Sequence, residues 1–306
     1  MSNKIVRAIK RRNAWKEKIK NLSKDFIDSC EDIKNDLNNE ISNEGIDALI
    51  DHLRVCQYIP EEYERDSFEE KLYAKYTDHI ISLAFQKLGI DSIVLGNRSN
   101  SPDILSTTKD YKFITDVKSM RLSRTAKNQK DFKIVSLSGW GSVDGYSLLI
   151  SPLSQYPSRS SEIYQQAVKY SVCLLSYSHI CLLLNYKKQF SEYDDTYKVL
   201  GFLFSSVSGM VLDRSASNYW SSLHNILFKQ NTFQDVSLLE RLWTSEMDIT
   251  DSIIDTIKRE SIDIIENEMK RLDGLSLQEA IAELKSVLNL DSRRKTVESH
   301  INKLSI

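Results

Sequence analysis

The stretch SPDILSTTKDYKFITDVKSM, residues 101–120, decides how this chain is read. Two short apolar runs flank the polar turn Thr107-Thr108-Lys109-Asp110, which predicts paired strands over 103–106 and 111–119. Strand alternation puts Tyr111, Phe113, Thr115 and Val117 on one face and Lys112, Ile114, Asp116 and Lys118 on the other. Asp116 and Lys118 therefore share a face, and Asp103 opens the neighbouring strand. Charges interrupting a strand face cost free energy when buried unless they are paired or put to use.

Two carboxylates on adjacent strands can hold a hard divalent cation such as Mg²⁺ through oxygen ligands. A nearby ammonium can then orient, or help deprotonate, a water that attacks a phosphodiester. Asp103, Asp116 and Lys118 form the PD-(D/E)xK pattern of metal-dependent nucleases, and Pro102 is tolerated at the start of a strand. On the residues alone, Asp103 and Asp116 are the candidate metal ligands and Lys118 the candidate catalytic amine. Asp131-Phe132-Lys133 is a second D-x-K with poorer alternation. In the preceding helix Glu69 or Glu70 could supply a further carboxylate; Glu70 is the one counted with the catalytic set, against the alternative of a solvated helix glutamate.

Outward from this stretch, Phe68, Leu72, Tyr76, Ile80 and Leu83 recur at helical spacing, predicting a helix over about 67–88 that stops at Gly89. Downstream, strands are predicted at about 132–137 and 146–151, a helix at about 160–170, and a further strand in SVCLLSY. This order of elements describes a mixed α/β core. The chain to about Tyr58 reads as helical with Gly45 as a breaker. From Val236 it is helical again, with Gly274 as a stop and a Ser276/Glu279 capping box. Three regions follow: an N-terminal helical arm over 1–58, a core over 59–235, and a C-terminal helical region over 236–306 that is a candidate for dimerisation.

Two basic stretches stand out although the formal net charge is only −2. Residues 1–24 carry nine Lys or Arg against Glu17, readable as a phosphate-facing surface or as a solvated helix face. The segment RLSRTAKNQKDFK combines Arg121, Arg124, Lys127, Lys130 and Lys133 with Asn128 and Gln129. Guanidinium and amide groups of this kind read base edges, while lysines meet phosphate. Ser123 and Asp131 lie in the same run, which makes 119–133 the candidate DNA-recognition segment.

The run DVKSMRLSRTAKNQKDFK, together with EEKLYAKYTDHIISLAFQKLGI and the QYP of residues 155–157, resembles the HindIII-type type II restriction endonuclease family. The resemblance implies the restriction-endonuclease-like α/β fold of the PD-(D/E)xK superfamily, with additional N- and C-terminal helices. It also implies a homodimer that uses Mg²⁺ to cut double-stranded DNA at the palindrome AAGCTT after the first A, leaving 5′ overhangs. Asp103, Asp116 and Lys118 fall on the family's catalytic motif. A cognate DNA methyltransferase acting on the same site is a further implication, without a need for the two proteins to bind. Two other readings stay open: a repair nuclease of the same fold, and a DNA-binding protein without chemistry.

With 306 residues, 41% of them hydrophobic, the chain can bury a sizeable core. No apolar run is long enough for a membrane span, and the charged N-terminus does not suit a signal peptide, so a cytoplasmic location is expected. Cys30, Cys56, Cys173 and Cys181 form no CxxC pair, and no zinc or disulfide is expected. His52, His79, His179, His224 and His300 form no HxxxH or HExxH pair, and no GxxxxGK[ST] loop is present.

Overall fold

The computed structural model describes residues 2–22, 25–96, 101–124, 132–141, 145–190, 196–229, 233 and 235–303. The hairpin anticipated at its centre is present. Strands β2 (Ile104–Thr107) and β3 (Lys112–Val117) pair antiparallel, with Ile104 opposite Thr115. A strand not anticipated, β1 (Asp91–Val94), pairs antiparallel with β2 at the sheet edge. On the other side of β3, strands β4 (Gly145–Ile150) and β5 (Val172–Leu175) run parallel, so the sheet order is β1-β2-β3-β4-β5.

The change from antiparallel to parallel at β3 corrects one expectation. The segment containing Ile134, Val135 and Leu137, expected as a strand, is the helix Ile134–Trp140. Two parallel neighbours require a crossover connection, usually helical, and this segment lies within the crossover from β3 to β4. Ile134 and Leu137, three apart, both bury one face of that helix. Helix Glu162–Lys169 makes the equivalent connection from β4 to β5.

Four helices precede the sheet: α1 (Asn3–Lys20), α2 (Phe26–Glu44), α3 (Ile46–Cys56) and α4 (Phe68–Lys87). Asp25 caps α2 by accepting the N–H groups of Ile27 and Asp28 at 2.9 Å each. Gly45, at φ 77°, takes the left-handed turn that separates α2 from α3. Ser67 caps α4 through the N–H of Glu70, and α4 packs against β1, β2 and β3. The main core joins Leu72, Tyr76 and Ile80 of α4 to Phe113, Leu148 and Leu174 of the sheet. A second cluster gathers Ile5, Ala8, Val55, Tyr58, Ile249, Ile253 and Ile257.

Four cations of the basic N-terminal run are paired with acids within the fold. Arg7 pairs with Asp51, Arg11 with Glu40 and Glu44, Lys16 with Glu62, and Lys18 with Asp36. Arg12 is buried and donates to Tyr58 O and the Tyr73 hydroxyl. Neither reading of this stretch describes these residues, whose ion pairs dock α1 on the acidic faces of α2 and α3.

By contacts the chain divides into two units, 1–258 and 259–306. The second consists of the end of helix Val236–Asp273 followed by Leu277–Val287 and Leu290–Lys303. The Ser276/Glu279 capping box forms at the start of its middle helix. Among the described residues no helix is long and apolar enough to cross a membrane.

Burial also makes folding pH-dependent. His52 is buried against the Tyr76 hydroxyl, and desolvation pushes its pKa down from 6.5 to about 3, while His179 is driven well below its usual value. Both stay neutral when folded and accept protons on unfolding, so their contribution is present above pH 6.5 and is lost as pH falls below it. Each should cost about 1.4 kcal/mol of stability per pH unit in that range. The buried carboxylates Asp78 and Asp116, with raised values, act in the opposite sense. Urea melts of the protein and of His52→Gln between pH 7 and 5 should therefore differ in slope by one proton.

Candidate active site

Asp103 sits immediately before β2 and is held from three sides. Its N–H donates to Thr115 O at 3.0 Å and its carbonyl accepts the Leu95 N–H at 2.8 Å. Its Oδ2 accepts the Val117 N–H at 2.8 Å. Asp116 lies on β3 and is 3% exposed. Lys118 follows the strand directly, with its N–H donating to Ile150 O at 2.8 Å and its carbonyl accepting the Tyr177 hydroxyl at 3.0 Å. The antiparallel β2–β3 pair thus brings Asp103 beside Asp116, and the parallel β4 fixes the backbone from which Lys118 projects.

Lys118 Nζ lies 2.6 Å from Asp116 Oδ2, close enough for an ion pair. That oxygen is nonetheless buried without a hydrogen bond of acceptable geometry, which leaves it a lone pair to offer. Burial pushes the Asp116 carboxyl up to about 6; Lys118 pulls it down and Asp103 pushes it up again. For Lys118, burial disfavours the charge, but Asp116 and Asp103 outweigh it and the net shift is upward.

A third acid, which the sequence reading did not single out, joins them. Asp78 on α4 is buried, and its pKa is raised well above the carboxylate range by desolvation and then by Asp103. Lys75 Nζ lies 2.9 Å from its Oδ2. The signal was present in the sequence: Ile81 and Phe85 follow Asp78 at helical spacing, so Asp78 is a charge on an inward-facing stripe.

These groups border a cleft of about 1250 Å³ that is lined by Asp78, Asp103 and Lys118 along with Lys75, Glu70, Arg121, Arg124 and Lys133. Of the residues expected in the recognition segment, Arg121, Arg124 and Lys133 reach this cleft. Ser123 donates from both its N–H and its hydroxyl to Glu61. Lys127, Asn128, Gln129, Lys130 and Asp131 lie outside the described residues. Glu70 is engaged through both oxygens, accepting from Arg121 Nε and from the Asp66 N–H.

The donor set suits a hard cation. Only oxygen ligands are offered, one of them a buried carboxylate oxygen without a hydrogen bond, and the crowded acids store negative charge that a cation would relieve. Among the described residues no group of three acidic, histidine or cysteine side chains forms a ready-made metal cage.

The HindIII restriction endonuclease family model matches residues 12–301. The chain is 30% identical over 258 residues, 83% of each chain, to the type II restriction enzyme HindIII of Haemophilus influenzae. With a mixed five-stranded sheet, an acid–amine cleft on its central hairpin and a match of this extent, the protein belongs to the HindIII restriction endonuclease family.

Proposed function

We propose that this protein is a Mg²⁺-dependent type II restriction endonuclease that hydrolyses double-stranded DNA at AAGCTT, cutting after the first A on each strand to leave 5′ overhangs. The observation that carries the reading is the pairing of Lys118 Nζ with Asp116 beside Asp103 at the border of the cleft. The site AAGCTT is what the family resemblance of residues 116–133 implies for this chain.

Asp103 and Asp116 would hold the metal, and Asp78 lies close enough to add charge at the same place. Bound there, Mg²⁺ would neutralise charge building on the phosphate and lower the pKa of a water. Lys118, its pKa raised by the acids, stays protonated near neutral pH. Its Nζ, 2.6 Å from Asp116, is placed to orient the attacking water or to meet the phosphate charge as a donor. Water adds to phosphorus as the bond to the 3′ oxygen breaks, leaving a 5′ phosphate and a 3′ hydroxyl. Arg124 and Lys133 at the cleft, and the segment 125–131 between them, are the candidates for DNA contact.

A palindrome presents the same base edges twice, so two copies related by a two-fold axis read it most simply. Ile253 and Ile257 serve the intramolecular core. Ile262, Ile265, Met269 and Leu272 are exposed at a three–four–three spacing and are the better candidates for contact between copies.

The reading is tested by incubating the protein with plasmid and Mg²⁺ and sequencing the ends. Discrete fragments with 5′ overhangs at AAGCTT are expected, and EDTA should abolish them. Structure-dependent cutting without discrete fragments would point to a repair nuclease. DNA retention without any cutting would point to a binding protein.

A further inference from the structure

Arg121 lies three residues after Lys118 and begins the basic segment, so by sequence it belongs with the DNA-contacting residues. Its side chain is only 11% exposed and turns into the protein. Nε donates to Glu70 Oε1 at 3.2 Å, Nη1 to the carbonyls of Pro60 at 3.3 Å and Glu61 at 3.2 Å, and Nη2 to the carbonyl of Glu64 at 3.2 Å. A guanidinium has five N–H donors in a fixed fork, and four acceptors of this protein converge on it here.

The contact is answered from the other side. Glu61, whose carbonyl Arg121 holds, returns both carboxylate oxygens to Ser123, accepting its N–H at 2.9 Å and its hydroxyl at 2.7 Å. Between them and Lys118, Met120 pairs with the same connector: its N–H donates to Gln57 O at 3.0 Å and its carbonyl accepts the Ile59 N–H at 3.1 Å. The start of the recognition segment is thus stitched to residues 57–64 and to the first turn of α4.

We infer that Arg121, with Glu61, Glu70 and Ser123, is a clasp that couples the DNA-recognition segment to catalysis, and that Arg121 is a positioning residue instead of a base or phosphate contact. The inference rests on the endonuclease reading above. Its physical basis is what the clasp joins. Residues 103–118 carry Asp103, Asp116 and Lys118, while α4 carries Lys75 and Asp78, and the two sides are tied together where the recognition segment begins. A displacement of Arg124, which lines the cleft and whose N–H donates to Arg121 O at 3.2 Å, is passed through Arg121 and Ser123 to Lys118 on one side and to α4 on the other. A misplacement of about 1 Å at a reacting group is enough to cost on the order of 100-fold in rate.

Arg121→Lys keeps the charge but cannot span four acceptors, and Ser123→Ala removes one hydroxyl from the exposed arm of the same clasp. Cleavage of a duplex with one AAGCTT and of duplexes with one base changed would be measured with Mg²⁺. Binding to the same duplexes as a function of salt would be measured without it. For Arg121→Lys the expected result is a loss of roughly tenfold or more in kcat on the cognate duplex, with KM and the salt slope of binding unchanged. The ratio of cognate to altered-site cleavage should also fall, and Ser123→Ala should move it in the same direction. Arg121→Ala is measured alongside: a phosphate contact would make it lower the salt slope by about one and weaken all duplexes alike, whereas a base contact would make it weaken cognate binding alone; either result overturns the inference. So does a lowered melting temperature in both variants with the cleavage ratio unchanged, since that marks a purely structural role. If the wild-type protein cuts no DNA, the endonuclease reading fails first. If it cuts and both variants keep the wild-type ratio, the clasp fails alone.

Discussion

Asp116→Asn should lower the rate of DNA cleavage by at least about 1000-fold while leaving binding intact or stronger. The substitution keeps shape and removes the negative charge from a buried carboxylate that is paired with Lys118 and crowded by Asp103. If that oxygen is a metal ligand, its loss removes the cation and with it the charge stabilisation of the transition state. Without metal, a carboxylate near phosphate only repels it, so its removal should not weaken the complex with DNA. Asp103→Asn should behave alike, since Asp103 sits against Asp116 and raises its pKa. Plasmid cleavage with Mg²⁺ and gel-shift binding without it separate the two effects. Cleavage retained by Asp116→Asn would shift the site to Asp131.

Lys118→Ala should lose roughly 100- to 10,000-fold in rate while keeping Mg²⁺-dependent binding of the cognate duplex. The ammonium is held by a backbone anchored to Ile150 and Tyr177, so its loss leaves the fold in place. What disappears is the group that orients the water and meets the phosphate charge. Single-turnover rates on a cognate duplex decide the matter, and near-normal turnover would show that Lys118 only neutralises Asp116. Lys118→Arg keeps the charge but spreads it over a planar fork, and should recover only part of the rate.

The hairpin at residues 101–120 could be read from sequence because its causes are local. Alternation, a polar turn and a charge on one face lie within a few residues of each other, and Asp103, Asp116 and Lys118 come with them. The same holds for the Ser276/Glu279 capping box, which satisfies N–H groups within one turn. Residues 132–137 were misread for the opposite reason. Their β-branched pair suits a strand, but parallel pairing of β3 with β4, set by residues far along the chain, demands a helix there.

By itself the sequence determined the central hairpin and the acid–amine motif from spacing over about 20 residues, and the α/β class from the order of such elements along the chain. The tertiary structure alone decided which charges are available for function. It paired cations of the N-terminal basic run with acids from other helices, as in Arg7 with Asp51 and Lys18 with Asp36. It added Asp78 to the cleft and turned Arg121 inward onto residues 60–70. A charge is drawn to whatever lies within a few ångströms, and in a folded chain those neighbours are set by packing and not by position in the sequence.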